Sequence, residues 1–169
     1  MIIAEHDASA FIRGYTLIMG EIYGAPPARH KPEILEVLTE GREKYMADRA
    51  LLDRALSGLA AESVPVPGEV VSSIRSLEVA RWIYLKDTRS HSVFIHPSGQ
   101  VAYGVLGLTE RVRNIIGGSG AIIETGVVRY LGRYVTDGVV SRVVWLGPNY
   151  KREFSGVLSH LRSQGSFNV

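Results

Sequence analysis

The chain has 169 residues, 46% of them hydrophobic and 21% charged, which excludes a disordered chain and leaves room for a substantial buried core. It contains no cysteine, so disulfide bonds, thiol catalysis and thiolate metal sites are excluded and a reducing or redox-indifferent compartment is the natural expectation. The formal net charge of +2 hides an asymmetry, because residues 1–68 carry ten acidic and seven basic side chains whereas residues 69–169 carry seven acidic and twelve basic ones.

The chain is predicted to begin with a buried helix. Asp7 can cap a helix that runs to about Tyr23, where the segment Gly24–Pro27 stops it. The apolar positions of this helix recur every three or four residues, at Phe11, Tyr15, Ile18 and Ile22. This spacing gives the helix one apolar face, which we expect to be buried.

The same part of the chain bears on cellular location. Its first residues are acidic where a signal peptide would be basic. No apolar run in the chain approaches the roughly 18 residues that a membrane span needs. A cytoplasmic location is therefore expected, with no membrane partner.

A second helical stretch is predicted to form a helical hairpin with the first. It runs from Glu33 to about Leu59, and Gly41 weakens its middle, so two shorter helices remain open. The segment Val64–Gly68 contains two prolines and favours an extended connector. The sequence therefore predicts a helical segment over residues 1–63 that packs on a β domain over residues 69–169, the two forming one structural unit.

Two strands, a hairpin and three helices are predicted after the connector. Arg81–Lys86 and residues 121–124 have β character. Ser92–His96 and Gln100–Leu106 should form a hairpin, because Pro97–Gly99 matches a type I turn that ends in a left-handed glycine. The helices are expected over residues 69–77, 110–116 and 150–164, the last of them capped by Asn149.

The longest β pattern runs from Thr125 to Asn149 and is predicted to be a second hairpin. The dipeptide Asp137–Gly138 stands between two apolar runs, and Asp-Gly in that position is the strongest short-range hairpin pattern. With a two-residue loop, Arg133 lies directly opposite Arg142, whereas a three-residue loop that begins at Thr136 would separate the two arginines. The two-residue register makes a core face of Val128, Tyr130, Gly132, Tyr134, Val139, Val143 and Trp145.

No catalytic group is recognisable in the sequence. The glycines of Gly117–Gly120 lack the Gly-Lys-Ser/Thr ending of a phosphate-binding loop, and helix termination explains them. Asp87, His91 and His96 carry metal-binding side chains, but the histidines are five residues apart, so a regular strand would point them to opposite faces. No serine stands in a nucleophile elbow. We therefore predict no catalytic residue, no metal and no cofactor.

Arginines are the candidate binding residues. The planar guanidinium group can hold a carboxylate or a phosphate through two hydrogen bonds. Two directly opposed arginines need an anion, which would be a phosphate or an acidic side chain of the long helix, namely Glu36, Glu40 or Glu43. The predicted anion-binding or partner-binding residues are Arg111, Arg113, Arg129, Arg133 and Arg142.

These elements predict an α+β protein. An N-terminal helical hairpin precedes an antiparallel sheet of five or six strands, which could curl into a small half-barrel, and a C-terminal helix packs against the sheet. The first functional hypothesis is a non-enzymatic binding or assembly protein whose basic-apolar sheet face meets a protein partner or a second copy as a homodimer. The alternative is a nucleic-acid or anionic-ligand binder that uses the same arginines. A hydrolase with an unidentified site comes third.

Overall fold

The computed structural model describes residues 1–26 and 31–169. Their contacts group into two compact units: a helical unit, His6–Arg75, and a sheet unit that joins Met1–Glu5 to Ser76–Val169. The chain therefore leaves the sheet unit after Glu5 and returns to it at Ser76. That residues 1–63 pack on the β part stays a prediction.

Four helices account for the regular structure of the helical unit in the described part of the chain. The first of them confirms the predicted apolar face, because all four of its predicted positions are buried. Gly24 follows this helix with a φ of 83°, whereas Pro27 of the predicted stop lies outside the described residues. The helices are α1 (Glu5–Tyr23), α2 (Ile34–Ala47), α3 (Leu51–Ala61) and α4 (Gly68–Arg75).

The second predicted helix is broken, although not at Gly41. The segment Asp48–Ala50 separates α2 from α3, because Asp48 is extended (φ −139°, ψ 99°) and its Oδ1 accepts a hydrogen bond from the Ala50 amide at 3.0 Å. An aspartate side chain readily accepts such local hydrogen bonds from backbone amides, and these bonds compete with the hydrogen bonds of a helix. Gly41 lies inside α2, where a Cβ would meet the carbonyl oxygen of Met19 on α1. The glycine thus allows two helix backbones to approach closely.

The sheet unit confirms the predicted run of strands that ends in a helix. The hairpin of residues 92–106 is present as predicted, with Gly99 at a φ of 70° in its turn. Its elements are β1 (Glu78–Asp87), β2 (Ser92–Ile95), β3 (Ala102–Leu106), α5 (Val112–Ile116), β4 (Ala121–Tyr130), β5 (Arg133–Trp145), α6 (Pro148–Ser163) and β6 (Phe167–Asn168). The short strand β6 was not predicted.

Five of these strands form a closed ring of hydrogen-bonded neighbours, in the order β2–β1–β4–β5–β3 and back to β2. Four of the pairings are antiparallel, as predicted. The pairings β3–β5 and β3–β6 are parallel, so the prediction of a wholly antiparallel sheet is wrong. The mostly antiparallel sheet with its N-terminal and C-terminal helices confirms the α+β class, and the half-barrel stays a prediction.

The two faces of the sheet bury two different apolar clusters. All five ring strands contribute to the first cluster, which therefore lies inside the ring and includes Trp82, Tyr84, Phe94, Val105 and Ile123. The second cluster joins the opposite face of β1–β3 to Leu158 and Leu161 of α6. The prediction that a C-terminal helix packs against the sheet is thus confirmed. Its predicted cap is wrong, because Gly147 occupies the N-cap position and Pro148 the first turn, where its missing N–H costs nothing.

The β4–β5 hairpin turns six residues earlier than predicted. Tyr130 pairs with Arg133, and the intervening Leu131 and Gly132 have φ values of 50° and 76°. Positive φ at both central residues is what a type I′ turn requires. The predicted turn at Asp137–Gly138 and the register derived from it are therefore wrong.

Asp137 and Gly138 instead lie within β5, close to where its register with β4 shifts. The Asp137 side chain is buried, and its Oδ1 accepts hydrogen bonds from the backbone amides of Gly126 and Val139, both at 3.1 Å. Gly126 has no side chain, and a Cβ at this position would collide with the Asp137 carboxylate. Gly138 has the positive φ that the Asp-Gly pattern predicts, 80°, but it lies in a bulge and not in a turn. Asp137 is therefore a structural residue that holds an irregular part of the hairpin.

Candidate functional site

The five predicted arginines are all exposed, but the strand register separates them. Arg133 pairs with Tyr130 at the hairpin turn, and Arg129 pairs with Tyr134. The predicted Arg133–Arg142 pair is wrong, and the repulsion that it implied does not arise. Arg111 and Arg113 lie elsewhere, at the start and in the middle of α5.

Arg142 has a carboxylate partner from its own hairpin. It pairs with Glu124 across β4 and β5, and its Nε is 3.8 Å from Glu124 Oε2. Ser141 Oγ donates a hydrogen bond to Glu124 Oε1 at 2.8 Å. The Arg142 side chain is 71% exposed, so this ion pair adds little stability. An acidic side chain was one of the two anions predicted beside this arginine, but it was predicted from the long helix and not from the neighbouring strand.

The C-terminal half of β5 is an open edge of the sheet. β4 runs along one side of β5 as far as Trp145. On the other side, the parallel pairing with β3 ends at Val135. Within the described residues, no strand therefore lies beside the segment Val140–Trp145 on that side. We call this segment the β5 edge.

The β5 edge is apolar and exposed. Val144 is 51% exposed and Trp145 is 53% exposed, although the predicted register placed Trp145 in the core. Natural sheets protect such edges with lysine, proline, bulges or a covering element. The only charged side chain of the segment, Arg142, lies near its partner Glu124. In the described part of the chain, the edge therefore offers backbone with no strand beside it, flanked by apolar side chains.

Trp145 is held in place by the glycine segment that follows α5. Gly117 ends this helix with a φ of 80°, which confirms its predicted role. A Cβ at Gly118 would lie 2.9 Å from the Trp145 ring, so the ring packs directly on this backbone. The glycines thus position an exposed aromatic side chain, and neither sequence periodicity nor the glycine pattern indicated this contact.

The three side chains considered for a metal site from the sequence, Asp87, His91 and His96, have other partners. Asp87 Oδ1 accepts hydrogen bonds from Tyr84 Oη at 2.8 Å and Ser92 Oγ at 2.7 Å. His96 Nε2 lies 3.0 Å from the Glu78 carboxylate. His91 is buried, with Nδ1 2.9 Å from Ser90 Oγ. Over residues 1–26 and 31–169, no three metal-ligating side chains converge.

His91 should make the stability of the sheet unit depend on pH. Burial lowers the pKa of its imidazole, and the positive charge of Arg162 lowers the pKa further. The unfolded chain therefore binds the proton more readily than the folded one. Above the unfolded pKa of about 6.5, His91 is neutral in both states and the free energy of unfolding is not reduced by this group. As pH falls through the lower pKa of the folded state, this stability is lost, because protonation favours the unfolded chain. His91→Gln should lose less stability than wild type between pH 7.5 and pH 5, measured by urea unfolding.

The exposed His160 on α6 supplies the control for this measurement. His160→Gln should keep the wild-type dependence of unfolding free energy on pH. Equal slopes for His91→Gln and wild type would contradict the assignment to His91.

Comparison with known proteins finds no match: no family model, no curated protein and no solved structure is significantly similar to this chain. None of the helices in the described part of the chain is long and apolar enough to cross a membrane. The functional proposals therefore rest on the chemistry and geometry of the chain itself.

Proposed function

We propose that this chain is a non-enzymatic assembly protein that associates through the β5 edge, and that the partner is a second copy of itself. The observation that carries the proposal is the exposure of Val144 and Trp145 beside an edge with no neighbouring strand in the described part of the chain. The complement of an open strand edge is another strand edge, because backbone hydrogen bonds continue the sheet.

The sequence of the β5 edge suits pairing with itself. An antiparallel two-fold pairing centred on Val143 sets Arg142 against Val144 and Ser141 against Trp145 of the second copy. No two arginines then face each other directly, and each Arg142 keeps Glu124 of its own chain. Val143 meets its counterpart at the centre of the interface, where desolvation stabilises association most, and Val144 packs beside it against Arg142 of the second copy.

The proposal predicts a dimer that a single charge disrupts. Sedimentation equilibrium of the wild-type chain should show a monomer–dimer equilibrium. Val144→Lys places a second positive charge near Arg142 at the centre of the paired edges, so we expect the dissociation constant to rise about tenfold or more. Leu131→Lys is the matched control, because Leu131 is equally exposed but lies in the hairpin turn. This control should dimerise like wild type.

Hydrogen exchange gives a second measurement of the same contact. Alternate backbone amides of Val140–Trp145 point away from β4, and they should become protected as protein concentration rises. A wild-type chain that remains monomeric at millimolar concentration would contradict the proposal. If the Val144→Lys chain still dimerises and these amides remain unprotected in the dimer, the interface lies elsewhere.

The nucleic-acid alternative stays a prediction with a distinct ionic-strength dependence. Binding through Arg111, Arg113, Arg129 or Arg133 to phosphates should weaken steeply as salt rises, because counterions are released. Pairing of apolar strand edges should weaken little over the same range. Sedimentation with and without a short oligonucleotide at two salt concentrations distinguishes the two.

A further inference from the structure

A cavity of about 170 Å³ in the sheet unit is lined by both aromatic and charged side chains. Its walls include Trp82, Tyr103 and Tyr134, which belong to or pack on the cluster inside the strand ring. Glu78 and Arg129 line the same cavity. A water molecule takes up roughly 30 Å³ in the liquid, so this cavity has room for only a few such molecules. It therefore suits a ligand far smaller than those that fill typical drug-binding pockets.

The aromatic walls present π surface and unpaired hydroxyl groups. The Tyr103 and Tyr134 ring centroids are 4.7 Å apart, and the edge-to-face contact of Trp82 with Tyr103 is 5.7 Å. Trp82 Nε1 already donates to the Thr125 carbonyl oxygen at 3.0 Å, so this indole offers only its ring to a ligand. In the described part of the chain, neither tyrosine hydroxyl has a hydrogen-bond partner.

Burial raises the pKa of the Tyr103 phenol, and the negative charge of Glu78 raises this pKa further. The hydroxyl therefore stays protonated at neutral pH and remains a hydrogen-bond donor. The electron-rich ring faces and the nearby carboxylate together give this side of the cavity a negative potential, which favours a cation.

Arg129, whose charge is opposite to that of Glu78, lines the same cavity but does not pair with Glu78. The Arg129 guanidinium lies over the Tyr134 ring at 5.7 Å and forms no ion pair with any described residue. Glu78 Oε1 is 3.0 Å from His96 Nε2, and Oε2 has no partner within residues 1–26 and 31–169. Over residues 1–26 and 31–169, the cavity thus combines a guanidinium that has no carboxylate partner with a carboxylate that has one unpaired oxygen.

We propose that this cavity binds a small zwitterion of the amino-acid or betaine type. The ammonium group of the ligand meets Glu78 and the aromatic rings, and its carboxylate meets the guanidinium of Arg129. Each end follows known chemistry, since aromatic walls with a carboxylate recognise ammonium groups and arginine recognises carboxylates. A ligand with a single charge would meet only one of these two charged groups and would therefore bind less tightly.

Calorimetric titration with glycine betaine, tetramethylammonium and acetate tests the proposal. Glycine betaine should bind about tenfold or more tightly than either singly charged probe, because only glycine betaine meets both walls. Arg129→Gln should weaken betaine binding about tenfold and leave tetramethylammonium binding unchanged. Glu78→Gln should weaken both betaine and tetramethylammonium.

Arg133→Gln is the matched control, because Arg133 is exposed at the hairpin turn and does not line the cavity. It should bind betaine like wild type, and circular dichroism melts of all variants report whether they fold. Acetate or tetramethylammonium binding as tight as betaine overturns the proposal. So does an equal loss in Arg133→Gln, or failure of the folded wild-type chain to bind glycine betaine.

Discussion

Asp137→Ala should destabilise the sheet unit by about 2–5 kcal/mol, because it deprives two buried backbone amides of their carboxylate acceptor. Those amides belong to Gly126 and Val139, and both lie 3.1 Å from Asp137 Oδ1. An unsatisfied buried donor loses its hydrogen bond to water on folding and gains nothing in exchange. Urea unfolding followed by tryptophan fluorescence measures the loss.

Two variants separate this role from a general effect of losing an aspartate. Asp137→Asn keeps one carbonyl oxygen as an acceptor, so it should lose markedly less stability than Asp137→Ala. Asp53→Ala removes an exposed ion pair with Arg75 and should cost less than about 1 kcal/mol. An Asp137→Ala chain as stable as Asp53→Ala would show that the carboxylate does not hold the bulge.

Gly41→Ala should destabilise the helical unit by about 1–3 kcal/mol even though alanine is the better helix former. The added Cβ would meet the carbonyl oxygen of Met19, and a backbone atom cannot turn aside as the end of a flexible side chain can. The two helices must therefore shift apart. Far-ultraviolet circular dichroism during urea unfolding measures the change.

Gly20→Ala tests the same substitution on α1 without the close contact. A Cβ at Gly20 meets nothing within 4 Å, so helix propensity alone should stabilise this variant by about 0.5–1 kcal/mol. Opposite signs for the two variants are the expected result. A stabilising Gly41→Ala would mean that α1 and α2 are not in close backbone contact at this position.

The sequence predicted those elements whose structure depends on local pattern. The apolar spacing of α1 located its buried face, since helix periodicity depends only on which residues stand three or four apart. The turn at Gly99 followed from residues that favour its backbone angles. The parallel closure by β3 and β5 could not be predicted in this way, because it joins segments that are distant in sequence.

The β4–β5 hairpin shows how a correct local pattern can give a wrong register. Gly138 does have the positive φ that its Asp-Gly pattern indicates, but the buried contacts of Asp137 place both residues in a bulge. Leu131 occupies the true turn with positive φ, a conformation that leucine rarely adopts. The predicted position of every side chain on this hairpin depended on the turn, so the predicted arginine pair and the predicted burial of Trp145 failed together.

The closed ring of strands also has a consequence for how the chain folds. The ring consists of two consecutive antiparallel runs, β1–β2–β3 and β4–β5, whose partners are close in sequence. Among the described residues, the runs are joined by the β1–β4 and β3–β5 pairings, which link distant segments. Loop-closure entropy therefore opposes these two seams more strongly than the pairings within each run, and a chain held up before they form would expose the edges of β1, β3, β4 and β5. Molecules in that partly folded state are the most prone to aggregate.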